Sequence, residues 1–482
     1  MIKKIIHIKN YGRFGNCITD TGYWNGVLDK TVSIYADNGT GKTTLTQIFK
    51  SLKGDDELIG KRKTLGSTED IDIFLLTDDN KQLKFQNNKW NHYKKNIEVF
   101  DSFFIESNVY LITLGNYDRK GNYFEFLLGD EAVQLFDKIV ALRGQRRKFS
   151  QNRVKHRRNL RNSEDPKTIK DLKYKIEHSL IKTAEINKEI ADLDSKLVTT
   201  AETFGVLYLE KINYYLKYFN PNIQLSNLNK KGNNFVYYLK IKEFDVRSDS
   251  ESISLKHTLS EGDKSSLALS FFLARLSLIS NIEEKIIVFD DPISSFDSSR
   301  RSVTINQLYN FAKKSKQFIL LSHDLNFVKD FSSKNDSCQD LKIINNGNSS
   351  LIINHDIYRE TMTGIFKDLT VLHDFIEKGA ITEFDKREVI RCIRPTIEGL
   401  FRIKYFKDIK PTDWLGDILK SIRESQPNDK FYHMKPILEE LSDINDYSKT
   451  YHHSNPNCLE IPINDQELRN YTQRTLDLII KI

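Results

Sequence analysis

The stretch Ile286-Ile-Val-Phe-Asp-Asp-Pro-Ile-Ser-Ser-Phe-Asp297 decides the fold. Four apolar residues running into Asp290-Asp291 describe a buried strand that delivers two carboxylates to the C-terminal edge of a sheet. Open α/β folds bind their ligands at that edge, and paired carboxylates there suit a metal ion and an attacking water in phosphoryl transfer. Three further stretches keep it company: Ala36-Asp-Asn-Gly-Thr-Gly-Lys-Thr-Thr44 near the N-terminus, Leu259-Ser-Glu-Gly-Asp-Lys264 upstream, and Leu320-Leu-Ser-His323 downstream. Their order predicts a nucleotide-binding α/β chain.

The first of these reads as a phosphate loop. The turn Asn38-Gly39-Thr40-Gly41 follows the apolar run Val32-Ser-Ile-Tyr35 and opens a helix at Lys42, so consecutive backbone N–H groups point at one oxyanion at a helix N-terminus. Asn38, Gly39, Gly41, Lys42, Thr43 and Thr44 are the expected nucleotide-binding residues, with Lys42 on the β- and γ-phosphates and the Thr43 hydroxyl on magnesium. Ala36 stands where the phosphate-loop pattern has its first glycine. Alanine tolerates most turn conformations except positive φ, so the departure touches fine loop geometry rather than phosphate binding.

At Leu259, a Ser-x-Gly turn (Ser260, Gly262) starts a long apolar helix and creates a second anion-binding helix N-terminus in a chain already supplied with one. This element resembles the ABC signature, in which the serine and glycine of each subunit close over the nucleotide held by the other. The resemblance implies a head-to-head homodimer through the ATP sites, or a higher oligomer built on it. Glu261-Gly262-Asp263 replaces the usual Gly-Gly-Gln, which places the match outside the transporter branch.

Asp290 is assigned to the magnesium shell together with Thr43, and Asp291 to polarising the attacking water. Transporter ATPases generally carry glutamate at the second position, so Asp291 reaches one methylene less far and the turnover expected is slow or dependent on closure. His323, after the apolar strand Gln317–Ser322, falls where the family places a histidine on the γ-phosphate. Ser295 and Asp297 match the loop that couples the two sites across the dimer, and Phe104-Ile-Glu-Ser-Asn108 is the positional candidate for the loop that senses magnesium. The cofactors implied are ATP and Mg2+.

Composition agrees with a globular chain of several domains: 482 residues, 39% hydrophobic and 29% charged, with a net charge of +7. No apolar run is long enough to cross a bilayer, since even 267–279 is interrupted by Arg275. The N-terminal residues 1–9 alternate like a first strand and lack a cleavage site, so the expected location is the cytoplasm, without a membrane partner. Cys17, Cys338, Cys392 and Cys458 show no C-x-x-C spacing, which supports neither a zinc site nor a disulfide framework.

An insertion splits the ATPase motifs. Leu172, Ile176, Ile186, Ile190, Leu193 and Leu197 recur at spacings that suit a helical seam, interrupted by Ser179 and Thr183. The region from about residue 134 to 161 is also helix-prone, with Ser163-Glu-Asp-Pro166 as the turn. A hairpin with arms of roughly thirty residues, about 45 Å at 1.5 Å per residue, is expected. Arg143, Arg146, Arg147, Lys148, Arg153, Lys155, Arg157, Arg158 and Arg161 occur in it without an intervening acid. A solvated helix face and a phosphate-backbone surface are both compatible with this run, and Arg146, Arg147, Arg153, Arg157 and Arg158 are the candidate nucleic-acid contacts.

From about residue 359 the composition turns helical. Arg394 and Glu398 lie four apart on one helix face, and His452-His453 follows in a second polar cluster. Arg394, Glu398 and His453 are a candidate phosphodiester-cleaving group; the alternative is a structural helix ion pair with a capping histidine.

The ATPase half, with Thr258–Lys264, Val288–Asp297 and Leu321–Asp324, resembles the ABC-type, SMC-like ATPases of bacterial anti-phage defence, among them the PtuA ATPases of Septu and retron systems and the PrrC/RloC anticodon nucleases. The anticodon-nuclease branch implies that Arg394, Glu398 and His452 or His453 cut RNA in this chain. The PtuA branch implies a separate HNH nuclease and, in retron systems, a ribonucleoprotein partner. A DNA-repair ATPase is a further reading of the split motifs. The fold expected is an ABC-type α/β head in two lobes (1–133 and 201–358), split by a helical hairpin (134–200) and followed by an all-α domain (359–482). The function expected is a dimeric ATP-driven switch that controls a nuclease.

Overall fold

The computed structural model describes all residues except 21, 106–119, 232–233, 248–257, 294–297, 348, 381 and 452–459. The chain forms two compact units, Met1–His355 and Asp356–Ile482.

The first unit is organised by a six-stranded sheet built from β3 (Thr31–Ala36), β7 (Ile97–Phe100), β11 (Ile286–Asp290), β12 (Gln317–Ser322), β13 (Cys338–Asn346) and β14 (Ser349–Asn354), in the order β14-β13-β3-β12-β11-β7. All neighbours run parallel except β14, which turns back on β13. Period-2 alternation sends the strand residues to two different layers. Ile286, Val288, Ile319, Leu321, Val32 and Ile34 pack with Leu45, Ile48 and Phe49 of α1 (Lys42–Ser51). Ile287, Phe289, Phe318 and Leu320 pack with Leu267 to Leu276 of the long helix Glu261–Leu278. Both faces are therefore covered, which is why β11 and β12 read as unbroken apolar runs.

Register places the ends of four strands on one edge. Asp290 lies opposite Leu321, Phe289 opposite Phe100, and Ser322 opposite Tyr35. The residues that leave β3, β12, β11 and β7, namely Asp37, His323, Asp291 and Asp101, thus emerge together at the C-terminal edge, as the sequence predicts for the first three.

A five-stranded antiparallel sheet, β2-β1-β4-β5-β6, joins β1 (Ile2–Tyr11), β2 (Phe14–Ile18), β4 (Asp72–Thr77), β5 (Gln82–Gln86) and β6 (Lys89–Trp90), and shares the α1 layer. The third sheet holds β8 (Ile223–Lys231), β9 (Asn234–Ile241) and β10 (Phe244–Arg247).

The insertion is a hairpin of α2 (Lys120–Arg161) and α3 (Pro166–Phe219). At 42 and 54 residues these helices exceed the roughly thirty per arm that the seam pattern suggests. The excess in α3 lies at its base, where Tyr208, Ile212, Leu216 and Phe219 are buried in the layer of α4 (Glu261–Leu278), a packing that heptad spacing does not reveal. Asp165 caps α3 by accepting from the backbone N–H groups of Lys167 and Thr168, and Pro166 begins it, so the turn falls where it was expected. Along the seam, Leu172, Ile186, Ile190 and Leu197 are buried, and the interrupting Ser179 donates to the Phe149 carbonyl at 3.0 Å.

One buried ion cluster ties the lobes of this unit together. Glu98 on β7 lies 3.5 Å from Lys53, 3.7 Å from Arg275 of α4 and 3.9 Å from Lys285. Burial alone would raise its pKa, yet the three cations more than offset this and hold the carboxyl below its ordinary value. Helices α5 (Ser298–Lys314) and α6 (Leu325–Ser333) complete the unit.

The second unit contains α7 (Ile357–Thr361), α8 (Gly364–Lys378), α9 (Glu383–Lys404), α10 (Leu415–Glu424), α11 (Leu438–Thr450) and α12 (Asp465–Lys481), and no strand among the described residues. Its core is the apolar face of α9 (Val389, Ile393, Ile397, Phe401) against Leu372, Ile418, Ile444 and Leu468 of the neighbouring helices.

Candidate nucleotide-binding site

The loop between β3 and α1 has the geometry that phosphate binding needs. Gly39 and Gly41 have φ of 81° and 124°, conformations that side-chain-bearing residues rarely adopt. Thr40 N–H donates to the Asp37 carbonyl at 3.3 Å, and Ser350 donates to the Thr40 carbonyl at 2.5 Å. Ala36 does not take positive φ, so the missing first glycine leaves the turn intact. The Lys42 ammonium curls back over the loop and donates to the carbonyl of Ala36 at 2.8 Å, with the Asp37 carbonyl and Asn38 Oδ1 each at 3.3 Å. Thr44 is buried, its methyl packed under the Gly12 turn.

Beside the loop stands a cluster of carboxylates. Asp290 is buried at the end of β11. Burial, then the charge of Asp291 and, more weakly, that of Asp101 push its carboxyl up to about 7, while the neighbouring Thr43 hydroxyl opposes the shift. A carboxylate that resists ionisation among other carboxylates, with a hydroxyl at its side, fits a divalent cation held by hard oxygen ligands. Thr43 and Asp290 would hold Mg2+ there.

Asp291 adopts φ of 49°, a left-handed conformation that aspartate tolerates better than most residues, and its N–H donates to the Leu321 carbonyl at 2.9 Å. The turn swings its side chain over the edge of the sheet. Oδ1 accepts from the His323 backbone N–H at 2.8 Å and lies 2.8 Å from His323 Nδ1, while Oδ2 lies 3.6 Å from the Lys42 ammonium. Lys42, Asp291 and His323 are thus brought together as the sequence predicts. Because Nδ1 faces Asp291, Nε2 is the ring nitrogen left to meet a phosphate.

Sequence reasoning missed two residues at this edge. Asp101, fully buried after β7, accepts from Gln47 Nε2 at 3.1 Å and Lys50 Nζ at 2.7 Å on α1, and from the Phe104 N–H at 2.7 Å. It therefore ties the phosphate-loop helix to the segment that leads toward the arm. Arg13 is exposed in the turn between β1 and β2; a Cβ on Gly41 would meet the Phe14 ring at 3.2 Å and the Arg13 Cβ at 3.4 Å. The Ser350 N–H, at 2.8 Å from the Arg13 carbonyl, pins that turn against the loop. No motif points to Arg13, since hairpin packing alone brings it there.

Ser260 and Gly262 stand at the start of α4, with Ser260 exposed as its N-cap. The α1 and α4 helices pack on opposite faces of the sheet. Ser295, Asp297 and residues 106–108 of the magnesium-sensing candidate lie outside the described residues.

On the arm, Arg143, Arg146, Arg147, Arg157 and Arg158 are exposed and Arg153 is half-buried. At 100° per residue, all seven arginines between 143 and 161 fall within an arc of about 140°, off which Lys148 and Lys155 lie. Arg143 reaches Asp194 at 3.5 Å and Arg146 reaches Asn187 at 3.2 Å across the hairpin. Residues 143–175 carry thirteen Lys and Arg against three Asp and Glu, a net of +10 in a chain of +7. The remainder is consequently net negative.

In the second unit, Arg394 Nη2 lies 3.5 Å from Glu398 Oε1, as the helix spacing predicts. Glu398 is 2% exposed, accepts from the Leu415 N–H at 2.9 Å and lies 3.7 Å from Arg402. It thereby satisfies the first turn of α10. His452 and His453 lie outside the described residues.

Residues 160–378 match a family model described as an AAA domain, a span that takes in Ser260, Asp290, Asp291 and His323 and excludes the phosphate loop. No curated protein matches the chain. Among solved structures, it is similar to an Smc head domain with an extended coiled coil, bound to the C-terminal domain of ScpA, from Pyrococcus furiosus (12% identity, 74% of this chain and 97% of that one, TM-score 0.46). It is also similar to an Smc head domain from Pyrococcus yayanosii (10%, 74% and 97%, TM-score 0.41) and to one from Thermotoga maritima (12%, 74% and 100%, TM-score 0.32). Among the described residues no helix is long and apolar enough to cross a membrane.

Lys42→Ala is expected to abolish ATP binding. Arg13→Ala should weaken it about tenfold without loss of folded protein, the size of effect typical of one charge-assisted contact. Titration with a fluorescent ATP analogue checks both, and an Arg13→Ala affinity equal to wild type would remove Arg13 from the site.

Proposed function

We propose that the protein is an ATP-binding and ATP-hydrolysing switch that works as a homodimer through its ATP sites and controls a nuclease in bacterial anti-phage defence. The observation that carries the ATPase reading is the convergence of Lys42, Thr43, Asp290, Asp291 and His323 at one sheet edge. Lys42 and the loop N–H groups would hold the phosphates. Mg2+, bound by Thr43 and Asp290, would neutralise charge on the β- and γ-phosphates. Asp291, fixed by the His323 N–H, would orient the attacking water, and His323 would meet the γ-phosphate.

The dimer reading is supported by the placement of α1 and α4 on opposite faces, which leaves Ser260 and Gly262 to serve a nucleotide on a facing subunit. The defence context rests on the resemblance of Thr258–Lys264, Val288–Asp297 and Leu321–Asp324 to that group. The arginine face of α2 favours a nucleic acid or ribonucleoprotein partner, because thirteen Lys and Arg against three Asp and Glu over residues 143–175 leave most of its exposed charge of one sign. Among the ion pairs of the described residues, Arg143 alone on that face is drawn to an acid, Asp194.

Asp291→Asn should bind ATP, hydrolyse it at least tenfold more slowly and accumulate as an ATP-bound dimer, because the magnesium ligand Asp290 is retained. Ser260→Arg should bind ATP yet stay monomeric. Sedimentation of both with ATP and Mg2+ reads the outcome, and wild-type turnover by Asp291→Asn would refute its role.

A nuclease in a bound partner, of HNH type in the PtuA-like reading, is the proposal, supported by the engagement of Glu398 with the N-terminus of α10 and with two arginines. The second reading, a ribonuclease in this chain, is favoured by the close approach of Arg394 to Glu398, with His453 as the third group. Incubating the purified protein, without any partner, with total tRNA and ATP in EDTA separates them. Intact tRNA is expected; cleavage lost in Arg394→Ala and His453→Ala would transfer the activity to this chain.

A further inference from the structure

We propose that Asp263 and Asn220 are positioning residues for Ser260, linking the base of the arm to the serine that would close over a nucleotide on the facing subunit; the inference rests on the composite-site reading above. Asn220 is the C-cap of α3 and is 2% exposed. Its Nδ2 donates to Asp263 Oδ1 at 2.5 Å, while Asp263 Oδ2 accepts from the Ser260 N–H at 3.0 Å and Ser260 Oγ accepts from the Asp263 N–H at 3.2 Å. The C-cap of α3 and the capping box that opens α4 are thus one hydrogen-bonded unit.

The chemistry of each group gives this unit a direction. A serine hydroxyl offers one proton and two lone pairs. With a lone pair committed to the Asp263 N–H, the proton is what Ser260 presents outward, the polarity needed to donate to a phosphate oxygen. Asp263, as a carboxylate, only accepts, and both of its oxygens face donors; an amide in its place would set N–H against N–H at one of them. Asn220 is held in turn by donating its own N–H to the Leu216 carbonyl at 2.7 Å and by accepting the Asn222 N–H at 3.3 Å on Oδ1. Behind it, Tyr208 donates to the Phe271 carbonyl at 3.0 Å, so α3 and α4 are joined a second time along their length. Rotation of α3 at its base therefore moves Asp263, and Asp263 moves Ser260.

Asp263 occupies the position where the signature of transporter ATPases has glutamine, so the substitution acquires a purpose: it closes a capping box that glutamine closes with a longer side chain and without charge. Two acids in the first turn of α4, Glu261 and Asp263, would oppose an incoming phosphate. Lys264, at 2.7 Å from Glu261, and Asn220 on Asp263 moderate that opposition.

The test compares steady-state ATP hydrolysis by the full chain with Asn220→Ala, Asp263→Ala, Asp263→Glu and Ser260→Ala. Because Ser260 acts only on the nucleotide of a facing subunit, Asn220→Ala and Asp263→Ala should lower kcat by roughly tenfold at unchanged KM and unchanged ATP affinity, the scale on which small misplacements act. Asp263→Glu, which rebuilds the capping box, should recover much of the loss. If Ser260→Ala lowers kcat while Asn220→Ala and Asp263→Ala stay within twofold of wild type, the positioning role falls and the composite site stands. If their kcat losses come with matching losses in ATP affinity and melting temperature, the two residues are structural only and the inference fails. Wild-type turnover by Ser260→Ala would bring down the composite-site reading and this inference with it.

Discussion

Everything at the candidate site follows from holding the Asp290 carboxylate in a place with little water. The residue ends a strand whose two faces are both covered, so burial penalises its charge, and Asp291 and Asp101 add to the penalty. Such an arrangement is a cost for a folded protein with no ligand. It would become an asset on entry of a divalent cation held by Asp290 and the Thr43 hydroxyl, whose positive charge would offset the repulsion from Asp291 and Asp101. The phosphate loop beside it supplies the complementary half: N–H groups and a lysine for the anion that travels with the cation.

The sheet transmits this local chemistry to the rest of the molecule. On one face α1 carries the loop and reaches Asp101 through Gln47 and Lys50; on the other, α4 carries Ser260 and reaches Glu98 through Arg275. Both acids lie at or just beyond β7, an edge strand of four residues. The arm returns into the α4 layer through the base of α3. A change at the nucleotide thus has a hydrogen-bonded route to the base of the arm, from which the arginine face lies farther out along α2 and α3.

The central strands and the loop were legible in the sequence because their signals are local: an apolar run into Asp290-Asp291, glycines that allow positive φ before Lys42, a serine opening an apolar helix. The turn at Asp165-Pro166 was legible for the same reason. Arg13 and Asp101 were not, since each reaches the site through contacts between elements far apart in sequence. The base of α3 escaped the heptad pattern because its apolar residues face α4 rather than α2. Glu398 shows the same limit from the other side. Its spacing to Arg394 was read correctly, but the Leu415 N–H that it accepts lies beyond any helix pattern and changes what the pair means.

The claim on which the account turns is that one complete catalytic centre needs residues from two chains. The direct measurement is complementation: Lys42→Ala and Ser260→Ala subunits, each unable to hydrolyse ATP alone, are mixed and assayed together. A mixed dimer joins the intact loop of one subunit to the intact Ser260 of the other, so the account predicts that turnover reappears on mixing and grows with the heterodimer fraction. A mixture as inactive as its components, with heterodimers demonstrably formed, would contradict it.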